Sequence, residues 1–105
     1  MMAESNANLD RFLHAIADPT RRRILHLLKE HALKEKDEDS VSAEQGLCAG
    51  DIKDRVKLAQ PTVSHHMRVL EKAGVVKALR QGHWRRYRRN EKWIAEMAKE
   101  MKSEL

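Results

Sequence analysis

The chain has 105 residues, 41% hydrophobic and 35% charged, with a formal net charge of +5, which leaves room for one domain over 1–105 with a modest core. Its single cysteine, Cys48, excludes an intrachain disulfide, and no run approaches the roughly 20 apolar residues of a membrane-spanning helix. The opening Met-Met-Ala-Glu-Ser-Asn lacks the basic start and apolar run of a signal peptide, so a soluble, cytoplasmic protein with no membrane partner is expected.

The first apolar series, Leu9, Phe12, Leu13 and Ile16, has helical spacing. Asp18-Pro19 reads as the N-cap and first residue of a second helix, which runs to about Leu33 with Ile24, Leu25, Leu27 and Leu28 toward one side. Lys34 to Gly46 contains five acids by Glu44 and reads as a solvated loop. A short helix over 49–57 follows, with Ile52 and Val56 four apart, and then the tight connection Lys57-Leu58-Ala59-Gln60. Pro61 opens a further helix that runs to Ala73, and Gly74 reads as its C-cap glycine. Two short helices so closely joined have the form of a helix-turn-helix.

Val75–Leu79 is β-prone, Arg80-Gln81-Gly82-His83 a turn, and Trp84–Arg89 a returning strand, together a hairpin. The arginines of the return strand point to both faces, which is the pattern of an edge strand and not of an interior one. Asn90 caps a last helix carrying Trp93, Ile94, Met97 and Met101 at helical spacing. The fold class is therefore mainly α with a small β-hairpin, in the order α-α-α-α-β-β-α.

The chemistry concentrates in two places. On a helical wheel of 61–72, Val63, Met67 and Leu70 fall together toward the core, with His66 at its edge. His65, Arg68 and Lys72 fall opposite, flanked by Thr62 and Ser64 near the N-terminus. This outward set suits a major groove, where Arg bonds a guanine edge with two donors and Thr and Ser reach bases or phosphates. The plainer alternative is a solvated polar face. From Lys77 to Lys92 there are seven Lys or Arg against one acid, Glu91, so the positive charge is a local feature and the rest of the chain is near neutral. A hairpin carrying Arg80, His83, Arg85, Arg86 and Arg88 fits the phosphate backbone or a minor groove of double-stranded DNA, or else it is a charged edge that resists aggregation. No metal-ligand, phosphate-loop or nucleophile motif is present. No catalytic or metal residue and no cofactor is therefore assigned.

Ala17-Asp18-Pro19-Thr20-Arg21-Arg22-Arg23-Ile24-Leu25 resembles the second-helix signature of the arsenic-repressor (ArsR) family of transcriptional regulators. Gln60 to Val76 resembles its recognition helix running into the wing, and Gly82 to Arg88, with Tyr87, the wing's return strand. The resemblance spans roughly residues 9–100. It implies a winged helix-turn-helix repressor acting as a homodimer on a palindromic operator, with Gln60 among the DNA-contacting residues. It also implies a dimer interface on the first and last helices: Leu9, Phe12, Leu13 and Ile16 with Trp93, Ile94, Met97 and Met101. The alternative is that these stripes close the monomer core. Metal-sensing members carry two cysteines where this chain has Leu47-Cys48-Ala49-Gly50-Asp51; the second is Gly50. A metal- or redox-responsive sensor using Cys48 and a nonspecific nucleic-acid-binding module remain the alternative functions, and no inducer is identified.

Overall fold

The computed structural model describes residues 6–35 and 46–105. Among these, the elements in chain order are α1 (Ala7–Ala17), α2 (Pro19–Glu35), β1 (Leu47–Cys48), α3 (Ala49–Val56), α4 (Gln60–Lys72), β2 (Val76–Gln81), β3 (Trp84–Arg89) and α5 (Glu91–Glu104). Of the stretch read as an acidic loop, Lys34 and Glu35 continue α2, Gly46 is buried, and 36–45 lie outside the described residues.

Local signals set the helix boundaries. The Asn6 side chain accepts from the Leu9 N–H at 3.2 Å and starts α1. Asp18 Oδ1 accepts from the Arg21 N–H at 3.1 Å and starts α2, satisfying donors that the first turn leaves orphaned. Asn90 does the same for α5 through the Trp93 N–H. At the end of α4 the chain makes a Schellman turn: the Val75 N–H donates to Leu70 O and the Gly74 N–H to Glu71 O, both at 3.0 Å. This turn needs a left-handed residue, and Gly74 has φ +78°. A Cβ there would meet the Trp93 indole at 2.6 Å.

The sheet differs from the expected two-stranded hairpin. It has three antiparallel strands in the order β1-β3-β2, so β3 is central. Leu47 pairs with Tyr87 and Cys48 with Arg86 on one side, while Val76 to Gln81 pair with Arg89 to Trp84 on the other. The arginine-rich strand that reads as an edge is thus interior at its base. β1 is short enough to cover only Tyr87 and Arg86, which leaves the cationic tip with β2 alone. The two residues of β1 carry no periodicity of their own; the pairing with Tyr87 makes them a strand. Gly46 leads into it at φ +77°, where a Cβ would overlap the Tyr87 carbonyl.

The core lies where α1, α2, α3, α4 and the sheet meet. Ile24, Ile52, Val63, Met67, Leu70 and Val75 are its most completely buried large side chains. Leu9 and Phe12 of α1 and Met97 of α5 are buried in the same cluster, while Ile16, Trp93, Ile94 and Met101 pack against it half-buried. α3 and α4 are held at their turn by Lys57, whose left-handed backbone (φ 57°) caps α3 through a bond from its N–H to Lys53 O.

Candidate DNA-binding surface

α4 turns one face inward and one outward. Val63, Met67 and Leu70 are buried, whereas Gln60, Pro61, Thr62, His65, Arg68 and Lys72 are exposed and Ser64 is half-buried. The expected reading row is therefore continuous and open to solvent along one helix face. Among the described residues, no bond from another side chain occupies His65, Arg68 or Lys72 in the manner of the wing arginines below.

His66, next to this row, faces the other way. Its Nδ1 lies 3.1 Å from Arg21 Nη1. Arg21 is itself buried. Its Nε donates to Ala15 O at 2.7 Å and its Nη2 to His14 O at 3.2 Å, and Asp18 Oδ2 stands 3.9 Å from Nη1. Arg21 thus ties the end of α1 to the start of α2 and to the back of the recognition helix. Because a guanidinium only donates, Nδ1 of His66 must accept, which places the ring proton on Nε2. Burial, aided by the Arg21 charge, pulls the His66 pKa below the ordinary 6.5, against an opposing pull from Asp18. Asp18 is held below 3.8, chiefly by the backbone N–H of Arg21.

In the wing, cross-strand partners share a face. Arg80 and Arg85 face each other, Ala78 faces Tyr87, and Val76 faces Arg89 on one side of the sheet; Lys77 with Arg88 and Leu79 with Arg86 lie on the other. The first side packs on the helices. Tyr87 is buried there. Arg85 Nη2 donates to both Glu71 carboxylate oxygens of α4, with its guanidinium 5.7 Å from the Tyr87 ring centroid. Arg89 pairs with Glu91 at 2.9 and 3.0 Å and reaches Leu25 O at 3.4 Å. On the second side Arg86 stacks 5.9 Å from the exposed Trp84 ring. His83 and Arg80 sit exposed at the tip. The five expected wing contacts are therefore not equivalent: Arg85 braces the wing against α4, while Arg80, His83, Arg86 and Arg88 lie at the tip or on the outer face. Glu71 and Tyr87, which hold the wing, escape a reading of charge alone. The one available signal was Glu71, the only acid in 60–72.

Residues 16–77 match a family model described as a helix-turn-helix domain. Over 73 residues the chain is 41% identical to an uncharacterized HTH-type transcriptional regulator of Methanocaldococcus jannaschii, covering 70% of this chain and 67% of that protein. It is 36% identical over 76 residues to the transcriptional repressor SdpR of Bacillus subtilis, covering 72% and 69% of the two chains. The chain belongs to the helix-turn-helix transcriptional regulators. Its fold is shared by the homodimeric winged helix-turn-helix DNA-binding domain of an ArsR-family candidate from Mycobacterium bovis (TM-score 0.66, 23% identity, covering 93% of this chain and 84% of that one).

In this helix-turn-helix regulator α3 and α4 are the helix-turn-helix and β2–β3 the wing, and the protein is a DNA-binding transcriptional regulator. Cys48 is the N-cap residue of α3, and its thiol donates to Asp51 Oδ2 at 3.0 Å. Among the described residues no three His, Cys, Asp or Glu side chains converge as a metal site, and no helix is long and apolar enough to cross a membrane. Of the eight residues assigned to a dimer interface, Leu9, Phe12 and Met97 are buried within the chain's own core. Leu13, at 37% exposed, and the half-buried Ile16, Trp93, Ile94 and Met101 carry what apolar surface α1 and α5 still present. Trp93 is further committed: its indole N–H donates to Ala73 O at 2.8 Å.

Proposed function

We propose that this regulator represses transcription in the cytoplasm by occupying a palindromic operator as a homodimer, with residues 1–105 acting as one DNA-binding unit. The observation that carries the reading is the open row on α4, Gln60, Thr62, His65, Arg68 and Lys72, standing beside a basic wing braced to the same helix by Glu71. Arg68 reads a base edge, Thr62, Ser64 and His65 take neighbouring bases or phosphates, and Arg80, His83, Arg86 and Arg88 grip the flanking backbone. Arg85 reaches DNA only in competition with Glu71.

The remaining apolar surface of α1 and α5, centred on Leu13, Ile16, Ile94 and Met101, supplies the dimer contact. Leu9, Phe12, Trp93 and Met97 support it from beneath. The homodimeric state of the Mycobacterium bovis domain supports pairing, and the name of the SdpR relative supports repression. Pairing sets two recognition helices about one DNA turn, roughly 34 Å, apart. Footprinting tests this: protection of two half-sites about 10 base pairs apart on one face of the duplex is expected. Protection of one half-site by one copy would overturn the dimeric mode.

A further inference from the structure

A groove of about 280 Å³ opens between α1, α2, the base of the wing and α5, away from the outward row of α4. Its floor is apolar: Phe12 and Ile16 from α1, Leu25 from α2, Val75 at the entry to β2, and Ile94 from α5. Its rim is cationic, formed by Arg22, His26 and Lys29 of α2 and Arg89 of β3. Two of these four already have acidic partners, since Arg89 is paired with Glu91 and His26 with Glu30 at 2.9 Å. Among the described residues the other two do not. Arg22 donates to the Ile16 carbonyl at 2.6 Å, which holds its guanidinium over the groove without neutralising it. Lys29 is exposed, with no ion pair among the described residues.

We propose that this groove binds a small monocarboxylate with an unbranched apolar tail, its carboxylate on Lys29 and Arg22 and its tail over Phe12, Ile16, Leu25 and Ile94. An apolar floor with a few convergent polar groups is the usual form of a small-molecule site. At about 280 Å³ the groove lies at the small end of small-molecule sites, which suits a short unbranched acid. Charge decides between an acid and a neutral apolar molecule, because two cations that have no acidic partner among the described residues stand at the mouth of an apolar cleft, and a carboxylate can take donors from both. Ile16 and Ile94 of the groove also border the dimer contact proposed above, and on this proposal the cationic rim of α2 stays outside that contact and keeps the groove open beside it. Arg89 ends the wing strand, so a ligand at this rim sits at the base of the wing.

Calorimetric titration of the full chain with octanoate, octan-1-ol and acetate at one ionic strength tests the site without DNA, so it fails or succeeds separately from the operator reading. Saturable binding of one octanoate per chain is expected. Octan-1-ol should bind at least tenfold more weakly and acetate not measurably. Lys29→Met, at an exposed position with no tertiary bond to lose among the described residues, should weaken octanoate about tenfold and leave octan-1-ol unchanged, with an unaltered melting temperature. No saturable heat, equal affinity for acid and alcohol, or octanoate affinity untouched by Lys29→Met would overturn the proposal. So would octanoate binding that appears only at protein dilutions where oligomers dissociate, since a second copy would then be filling the groove.

Discussion

Single residues carry the division of labour on α4. Arg68 is exposed in the middle of the outward row, and Arg68→Ala should relax base preference at one operator position, costing about 1–3 kcal/mol there and little elsewhere. Titration against a set of singly substituted operators would check this, and uniform weakening on every sequence would assign Arg68 to phosphate instead. His66, its near neighbour, is a structural residue. The unfolded chain binds a proton at the ordinary histidine pKa of about 6.5, while the folded chain resists protonation because of burial and the adjacent Arg21. The unfolded state then holds more protons just below that value, so stability is full above about pH 6.5 and is lost as the pH falls through it. Asp18, with its pKa lowered, works in the same direction at lower pH, its contribution lost on acidification below its ordinary value. Thermal melts across pH 5–8 should show a shallower dependence in His66→Gln, which can still accept from Arg21. An identical slope would remove His66 as the cause.

At the scale of elements, the joints depend on a few backbone conformations and one ion pair. Gly74→Ala puts a Cβ into the Trp93 indole at a left-handed φ, for which roughly 1–2 kcal/mol of backbone cost alone is expected, read as a lower denaturant midpoint. Glu71→Gln removes the wing's brace. Because the pair is partly exposed, global stability should change by less than about 1 kcal/mol. Amide exchange at the tip of β2–β3 should nonetheless rise, and unchanged exchange would show that Tyr87 alone holds the wing. The same elements show what could be read beforehand. Asp18-Pro19, Asn90 and Gly74 announced the ends of α2, α5 and α4, because caps act within one turn and leave their signature in adjacent residues. β1 was not legible. Two residues have no alternation to detect, and they become a strand only by pairing with Tyr87 and Arg86 some forty positions later. The central place of β3 was hidden for the same reason. Its arginines suggested an edge, but at its base Arg89 finds Glu91 and the Leu25 carbonyl.

The whole molecule is a near-neutral helical body with a basic arm. The outward row of α4 was legible from one helical wheel, since the inward Val63, Met67 and Leu70 define the outward side by elimination. That Arg85 is engaged by α4 was not legible, because Arg85 and Glu71 meet only once the chain is folded. Nor could spacing separate core from interface on α1 and α5: Leu9, Phe12 and Met97 share their periodicity with Leu13, Ile94 and Met101 but are buried in the monomer. Two basic wings on one duplex should give a log–log salt slope on the order of −5 to −9 if about 6–10 phosphates are neutralised. Arg86→Ala should flatten the slope while leaving the preferred sequence unchanged. The central claim is that α4 reads sequence, and it is tested most directly by selecting bound fragments from random duplex DNA and titrating the winner against its scrambled counterpart at fixed salt. The account predicts a palindromic winner bound at least about 1,000-fold more tightly. Equal affinity for the two duplexes would contradict it, leaving the basic wing as the source of a sequence-blind grip.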